Sequence, residues 1–224
     1  MKIGLIIAMD KEMTGIMRVV SESERLVHNS AYEVYRARYA DKTLYIMRSG
    51  VGEIAAAAAT QYLITAFSVD FILNFGICGK LGDKMKLLQT AVVKSVVHYQ
   101  FDTSAIDNVE AGKYSEYESV YIPAPEYPQK LVMSLDPEIV TAVCASGDKF
   151  IAEESDKAEL VKKYGADICE MESAGVLLTA NRNNTPCVII KTVSDDCSAM
   201  DYDRFSTIAA EKHTELIEKI LKSL

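Results

Sequence analysis

The stretch KIGLIIAMDKE, residues 2–12, decides the fold class, because a short apolar run leads directly into acidic residues. Within it, residues 3–8 show no alternation of apolar and polar side chains, which is typical of a strand covered on both faces. The same pattern recurs at residues 71–74, 90–97 and 187–193. These runs predict a buried sheet with parallel strands.

Helical stretches lie between these runs. Residues 53–67 are rich in Ala and contain no Gly or Pro, which strongly favours a helix. We also predict helices at residues 155–164, with Ser155 as the N-cap, at 171–181 and at 203–221. The apolar stripe expected on the last helix comprises Ile208, Leu216, Ile217, Ile220 and Leu221.

Two segments depart from this pattern. Residues 31–40 and 43–48 alternate apolar with polar side chains, which predicts an antiparallel hairpin. Residues 102–128 hold three of the five prolines and show little periodicity, and a connection this long is usually functional. We find no repeat and no linker, so we predict a single domain over residues 1–224.

The composition excludes several classes of protein. Among 224 residues, 24 are Lys or Arg and 32 are Asp or Glu, and the net charge of −8 disfavours nucleic-acid binding. Charged residues interrupt every apolar run before about 18 residues, so we expect no transmembrane span. Acidic Asp10 and Glu12 follow the first apolar run at once, so we expect no signal peptide.

The five cysteines and three histidines are scattered and include no Cys-x-x-Cys pair, so we expect no metal site. Cysteines within apolar runs usually act as small buried residues in a reducing cytosol, which predicts a cytoplasmic protein. We expect His98 to be structural and His213 to be solvated.

Polar segments follow several of the predicted strands. Each one alone is equally compatible with an ordinary helix start, a tight turn or an anchored loop. Ligands of α/β sheets bind outside the carboxyl ends of strands, however, and Glu12, the 170–172 segment and the 194–196 segment all place carboxylates there. Three carboxylates at one sheet edge suit acid–base chemistry on a small polar molecule.

Five motifs together resemble the 5′-methylthioadenosine/S-adenosylhomocysteine nucleosidase family, within the purine nucleoside phosphorylase-like proteins. They are KIGLIIAMDKE (2–12), SGVG (49–52), SGDKFI (146–151), EME (170–172) and SD (194–195). The resemblance spans nearly the whole chain in the same order. It implies a three-layer α/β/α fold around a central twisted, partly closed mixed β-sheet.

The resemblance also implies a reaction. Water would cleave the N-glycosidic bond of an adenosine-type nucleoside such as 5′-methylthioadenosine, S-adenosylhomocysteine or 5′-deoxyadenosine, with no cofactor. Asp195 would be the general acid that protonates N7 of the leaving adenine, and Glu12 would be the base for the attacking water. Glu172 would hold the ribose 2′- and 3′-hydroxyls. Positioned proton transfer of this kind contributes about 10²–10⁴ in rate.

Further substrate contacts are implied by the same resemblance. Phe150 would stack on the purine, and the backbone of Ile151 would read its Watson–Crick edge. Met171 would line the ribose, and Tyr202 would lie near the 5′ substituent. The other substrate-binding positions implied are Met9, Val51, Ile77, Cys78, Gly79, Glu170, Lys191 and Ser194.

The chain departs from the family pattern at two of these positions. Ile77 stands where the family has a small or hydroxyl residue, and Lys191 stands where it has an arginine. Ile cannot form a hydroxyl hydrogen bond and Lys lacks bidentate geometry, so we expect either a different nucleoside preference or slow turnover. The loop between Asp195 and Tyr202 also looks shorter than in well-known members.

The long segment that follows His98 would, by resemblance, lie at a homodimer interface. Phe101, Thr103 and Ile106 are then candidates to reach the neighbouring subunit's pocket. The alternative is a capping loop within one subunit.

Two alternative functions stay open. A phosphorylase of the same fold would need cationic partners for phosphate. Glu12 opposes that interpretation, because a carboxylate repels phosphate and suits water, whereas Arg48 favours it. The other alternative is a nucleoside-binding relative with little turnover, which the departures Ile77 and Lys191 favour and the three intact acids oppose.

Overall fold

A mixed β-sheet runs through the computed structural model, which describes residues 1–20, 22–28 and 32–224. The strands are β1 (Lys2–Ile7), β2 (Ser23–His28), β3 (Glu33–Tyr39), β4 (Lys42–Arg48), β5 (Phe71–Lys80), β6 (Thr90–His98), β7 (Ile122–Pro123), β8 (Val140–Ser146), β9 (Ile168–Glu170) and β10 (Cys187–Asp195). The helices are α1 (Asp10–Val19), α2 (Glu53–Phe67), α3 (Ser104–Asp107), α4 (Glu126–Leu135), α5 (Glu154–Tyr164), α6 (Ser173–Arg182) and α7 (Ala199–Ser223). Within the described ranges, no helix combines the length and the apolar character that crossing a bilayer requires.

The sheet closes on itself over part of its width. Its strand order is β10–β6–β8–β9–β5–β1–β4–β3–β2, and β10 pairs a second time, with β5. Strands β5, β9, β8, β6 and β10 therefore form a ring. The pairings of β5 with β1 and β10 are parallel, whereas its pairing with β9 is antiparallel. The partly closed mixed sheet that the resemblance implies is confirmed.

Alternate residues of β1 enter two different cores. Ile3, Leu5 and Ile7 pack in a cluster with residues of α1 and α7, whereas Ile6 packs in a cluster with residues of α2 and α6. Both faces of the strand are therefore covered by helices, which gives three layers. This coverage is the physical reason why the first strand lacks alternation.

Several predicted bounds shift in the structure. Helix α2 has the predicted ends, but β5 continues past residue 74 to Lys80. Helix α5 begins at Glu154 with Glu153 as its N-cap, so Ser155 lies inside the helix. Helix α6 begins only at Ser173 because Glu172, with φ −133° and ψ −28°, is its N-cap and not a helical residue.

Helix α7 starts four residues earlier than predicted, because the Ser198 side chain caps it by accepting a hydrogen bond from Asp201 N. The predicted stripe is wrong at Ile208, which is 44% exposed, and right at its other four positions. The prediction for His213 is also wrong. This residue is buried, 2.7 Å from Thr192 Oγ1, because its face of α7 packs against β10.

Two other predictions are confirmed. Strands β3 and β4 form the antiparallel hairpin, with Tyr39 opposite Lys42, although Ala31 lies outside the described residues. His98 has a structural contact, since its Nδ1 lies 2.7 Å from the hydroxyl of Tyr114.

Candidate active site

Glu12 links the first helix to the central strand. The end of β1 places Met9 as the N-cap of α1, and Met9 N donates to Glu12 Oε2 at 3.0 Å. Ile77 N, in β5, donates to Glu12 Oε1 at 3.0 Å. Both oxygens of a buried carboxylate are thus bound to backbone N–H groups, which fixes its position.

Glu12 also lies close to a cation. A Cβ built on Gly76 would come within 3.0 Å of Lys191 Nζ and 3.3 Å of Glu12 Oε1, so the glycine leaves room for both charged ends. Burial raises the pKa of Glu12, and the charge of Lys191 and the two backbone donors oppose that rise. The Glu12 carboxyl is therefore a proton acceptor of increased basicity.

Lys191 forms an ion pair in the interior. Its Nζ lies 2.8 Å from Glu170 Oε2, and both residues are buried. Burial disfavours the Glu170 anion, but Lys191 and the hydrogen bonds from Ser146 and Ser173 outweigh it and lower the pKa of Glu170. Burial likewise opposes the Lys191 cation, yet Glu170 and Glu172 raise its pKa above the usual range. Both residues of this pair are therefore charged. The Lys191 ammonium contacts a single carboxylate, without the bidentate geometry that an arginine would offer.

Glu172 lies between two helix starts. It is the N-cap of α6, and its Oε1 accepts a hydrogen bond from Gly52 N, the N-cap residue of α2, at 3.1 Å. Burial first, and then the negative charge of Glu170, raise the pKa of Glu172 to about 8. The Glu172 carboxyl therefore holds a proton more readily than an exposed glutamate does.

Asp195 ends β10. Its Oδ2 accepts from Ser194 Oγ at 2.6 Å, and its Oδ1 accepts from Cys197 N at 2.8 Å. Burial raises the pKa of Asp195 more than these hydrogen bonds lower it. The expected general acid is thus an aspartate whose pKa lies above its usual value. Cys78 and Gly79 lie opposite Val193 and Asp195 in the β5–β10 pairing, which places them beside it.

Three side chains with expected substrate contacts, those of Phe150, Tyr202 and Met9, lie together. The Phe150 ring is 44% exposed and stands edge-on to Tyr202, with ring centroids 5.9 Å apart. The Tyr202 hydroxyl accepts from Lys11 Nζ at 2.9 Å and donates to Met9 Sδ at 3.4 Å. Ile151 is buried, and its contact with the purine through the backbone stays a prediction. Among the implied contacts, Phe150, Tyr202 and Met9 are therefore brought together.

The residues expected to reach a neighbouring subunit lie in and before α3. Phe101 stacks on Tyr114 of its own chain, with centroids 4.2 Å apart, whereas Ile106 is 83% exposed. Thr103 is the N-cap of α3. Val51, between two glycines, is 54% exposed. The role of Val51 as a substrate contact stays a prediction, as does the role of Phe101, Thr103 and Ile106 in a second subunit's pocket.

The structure gives local contacts for two residues that the sequence analysis singled out, the departure Ile77 and the cation Arg48. The Ile77 side chain packs with Ala209 and Ala210 of α7, so it is the backbone N–H of Ile77 that serves the site. Arg48 has its Nε 3.1 Å from Asp10 Oδ1, which places an acid beside the cation that favoured phosphate binding.

One buried acid had no assigned role in the sequence analysis. Glu53 is the first residue of α2, is 5% exposed, and directs its carboxyl to Ser146 Oγ and Gly175 N. A glutamate in the first turn of a helix is common for dipole reasons, so its position alone does not single it out. Only the packing of α2 on α6 reveals its burial.

Comparisons with known proteins agree with this geometry. A family model described as the phosphorylase superfamily matches residues 2–222. A 5′-methylthioadenosine/S-adenosylhomocysteine nucleosidase of Oceanobacillus iheyensis is 28% identical, and an aminodeoxyfutalosine nucleosidase of Campylobacter jejuni is 24% identical, each over the full length of both chains. The native structure of futalosine hydrolase of Helicobacter pylori superimposes with a TM-score of 0.94 at 26% identity, covering 100% of this chain and 98% of that one.

Proposed function

The chain belongs to the phosphorylase superfamily, and on that premise we propose that it is a nucleosidase, which hydrolyses the N-glycosidic bond of adenosine-type nucleosides to adenine and the free ribosyl product. The similarity to curated nucleosidases confirms the family resemblance drawn from the motifs. Three buried acids would carry the reaction, namely Glu12, Glu172 and Asp195.

The observation that carries the proposal is the anchoring of Glu12. Both of its oxygens are bound to backbone N–H groups, so a fixed negative charge stands where the nucleophile is expected. A phosphate nucleophile would be repelled there, whereas water can be oriented and deprotonated. Of the cations around this site, Lys191 is already paired with Glu170, Lys11 donates to the Tyr202 hydroxyl, and Arg48 lies beside Asp10. Hydrolysis is therefore favoured over phosphorolysis.

The reaction needs one proton donor and one proton acceptor, and we assign these roles to Asp195 and Glu12. As the C1′–N9 bond breaks, its electron pair passes to adenine, and Asp195 gives its proton to N7. Water adds to C1′ and loses a proton to Glu12. Glu172 accepts hydrogen bonds from the ribose 2′- and 3′-hydroxyls, and the positive charge that develops on the sugar lowers its pKa, so that its ionised form stabilises the cationic sugar. Burial of Asp195 helps it to retain the proton that it must deliver.

The 5′ substituent decides between the substrates that the relatives' names suggest. Those names cover 5′-methylthioadenosine, S-adenosylhomocysteine and aminodeoxyfutalosine. We assign this chain the first two, because the five motifs match that family, and the adenine half of the site is the same for all three. Tyr202, with Lys11 and Met9 around its hydroxyl, would line the 5′ end.

The test is a panel of nucleosides incubated with the purified protein, with and without inorganic phosphate. The panel contains the three nucleosides above, 5′-deoxyadenosine and inosine. We expect free adenine and the free sugar product at the same rate in both conditions. Release of base that requires phosphate and yields a sugar 1-phosphate would show that the protein is a phosphorylase and not a hydrolase. Binding of nucleosides without any release would support the non-catalytic alternative.

We propose further that the protein acts as a homodimer. The support is Ile106, which is exposed on the segment that the resemblance assigns to the interface. In the dimer, Phe101, Thr103 and Ile106 would approach the 5′ end of the neighbouring subunit's nucleoside.

A further inference from the structure

Glu53 is a buried carboxyl that the proposed reaction does not use. It begins α2 and lies where α2, the end of β8 and the start of α6 meet. One oxygen, Oε1, contacts Ser146 Oγ, and the other, Oε2, accepts a hydrogen bond from Gly175 N. A buried carboxyl with defined partners on two other elements has a fixed place in the structure.

The hydrogen bonds around Ser146 determine the charge of Glu53. Ser146 Oγ lies 2.6 Å from Glu170 Oε1, accepts from Ala174 N at 3.1 Å, and also contacts Glu53 Oε1. A hydroxyl has one hydrogen to donate. Since Lys191 keeps Glu170 ionised, that hydrogen goes to Glu170. The contact between Ser146 and Glu53 is then satisfied when Glu53 supplies the hydrogen, which favours the neutral, protonated form of Glu53.

Glu53 is linked to Glu172 through the starts of helices α2 and α6. Helices α2 and α6 exchange hydrogen bonds at their starts, because Gly52 N donates to Glu172 and Gly175 N donates to Glu53. The two helices meet so closely that a Cβ on Gly175 would lie 2.3 Å from the carbonyl oxygen of Glu53. A change at Glu53 is therefore passed to the expected ribose-binding carboxyl.

We propose that Glu53 is a positioning residue of the nucleosidase reaction, which as a neutral acid holds Ser146, Glu170 and the start of α6 in place and so aims Glu172 at the ribose hydroxyls. The proposal rests on the proposed function. When Glu53 loses its proton, Ser146 faces two anions with one hydrogen, and the contact between α2 and β8 is lost.

The charged groups around Glu53 determine the pH range in which it loses its proton. Glu170 on β9 and Asp148 after β8 face it, the latter accepting from Glu53 N at 2.8 Å, and the hydroxyls of Tyr99 and Tyr114 lie in its field. Burial first, and then the charge of Glu170, raise the pKa of Glu53 to about 7. Binding of the ribose hydroxyls should therefore weaken as the pH rises through neutrality.

The experiment compares wild type with Glu53→Gln and Glu53→Met. Gln reproduces the neutral acid, since its N–H can donate to Ser146 Oγ and its oxygen can accept from Gly175 N, whereas Met has similar length and no hydrogen bonds. We expect E53Q to match the wild-type KM within about twofold near pH 6. Because Glu172 titrates in the same range in both proteins, the effect of Glu53 is the ratio of the wild-type KM to the E53Q KM, which should rise between about pH 6 and pH 8. We expect E53M to raise KM about tenfold or more at every pH, with a smaller effect on kcat.

A ratio of wild-type KM to E53Q KM that stays constant between about pH 6 and pH 8 would overturn the proposal, as would a large loss of affinity in E53Q near pH 6. Infrared difference spectra supply a readout without activity, since wild type near pH 6 should show a protonated-carboxyl C=O band that E53Q lacks. Should wild type release no base from any nucleoside, the proposed function fails, while this band still decides whether Glu53 is neutral. If E53M does not fold, E53Q and the infrared band decide.

Discussion

Lys191 Nζ lies 2.8 Å from Glu170 Oε2 at the centre of the molecule, with only 1% of the Lys191 surface exposed. The ion pair joins β10 to β9 across the closed part of the sheet. Glu170 in turn accepts hydrogen bonds from Glu172 N and Ser173 N. One cation thus organises the acids that surround the expected nucleoside site.

Lys191→Met should therefore destabilise the protein strongly. It leaves the Glu170 charge buried without its counter-ion, which typically costs about 3–5 kcal/mol. Lys191→Arg retains the charge and is the matched control, with a smaller loss that reflects its larger head group. Urea unfolding of the three proteins measures the difference. A Met variant as stable as wild type would show that Glu170 is neutral or solvated.

Asp195→Asn should abolish base release while leaving nucleoside binding nearly intact. The amide has almost the same volume but cannot deliver a proton to N7, so we expect kcat to fall by about 10²–10⁴. Asp196→Asn, at the adjacent residue, is the control and should retain turnover. Single-turnover assays and calorimetric binding of 5′-methylthioadenosine separate the two effects. Near-normal kcat in the Asn variant would mean that another group is the acid.

Glu12→Gln should also stop turnover. The amide is a poor base, and its NH₂ must face Met9 N or Ile77 N, both of which are donors. Asp10→Asn, two residues earlier and exposed, is the matched control and should keep the wild-type rate. Release of adenine, followed by absorbance, measures both variants. A fully active Gln variant would show that the general base is a residue other than Glu12.

Stability should depend on pH through Glu172. Its pKa is raised to about 8 in the folded protein from 4.5, so the folded state holds a proton that the unfolded state releases. The resulting stabilisation is complete below about pH 4.5 and is lost as the pH rises through about 8. Denaturation of wild type and Glu172→Gln across this range measures it. The free energy of unfolding of wild type should fall relative to that of the Gln variant, and a constant difference would contradict the shift.

Ile106→Glu should dissociate the proposed homodimer. A charged side chain at a buried contact is costly, whereas in a monomer this exposed position would tolerate it. Tyr127→Glu, at an exposed residue of α4, serves as a control. Sedimentation equilibrium gives the mass, and the KM for 5′-methylthioadenosine should rise with dissociation. A wild-type protein that sediments as a monomer at assay concentration would refute the dimer.

The sequence by itself determined the features that depend on neighbours along the chain. The apolar run of β1 and the Ala-rich α2 were predictable, because coverage of both faces and helix propensity leave a local pattern. The order of five short motifs was enough to identify the family. The start of α6 was predicted wrongly because Glu172 is held outside the helix by a hydrogen bond from Gly52 N, and Gly52 is distant in the sequence.

Tertiary structure alone decided the rest. The closure of the sheet through the second pairing of β10 and the burial of His213 and Glu53 all follow from contacts between distant segments. The pKa of Glu53 is an example, since this helical residue depends on burial, on the charge of Glu170 and on a contact with Ser146, which belong to two different strands. The physical reason is that burial and protonation are properties of the surroundings of a side chain, and those surroundings exist only once the chain has folded.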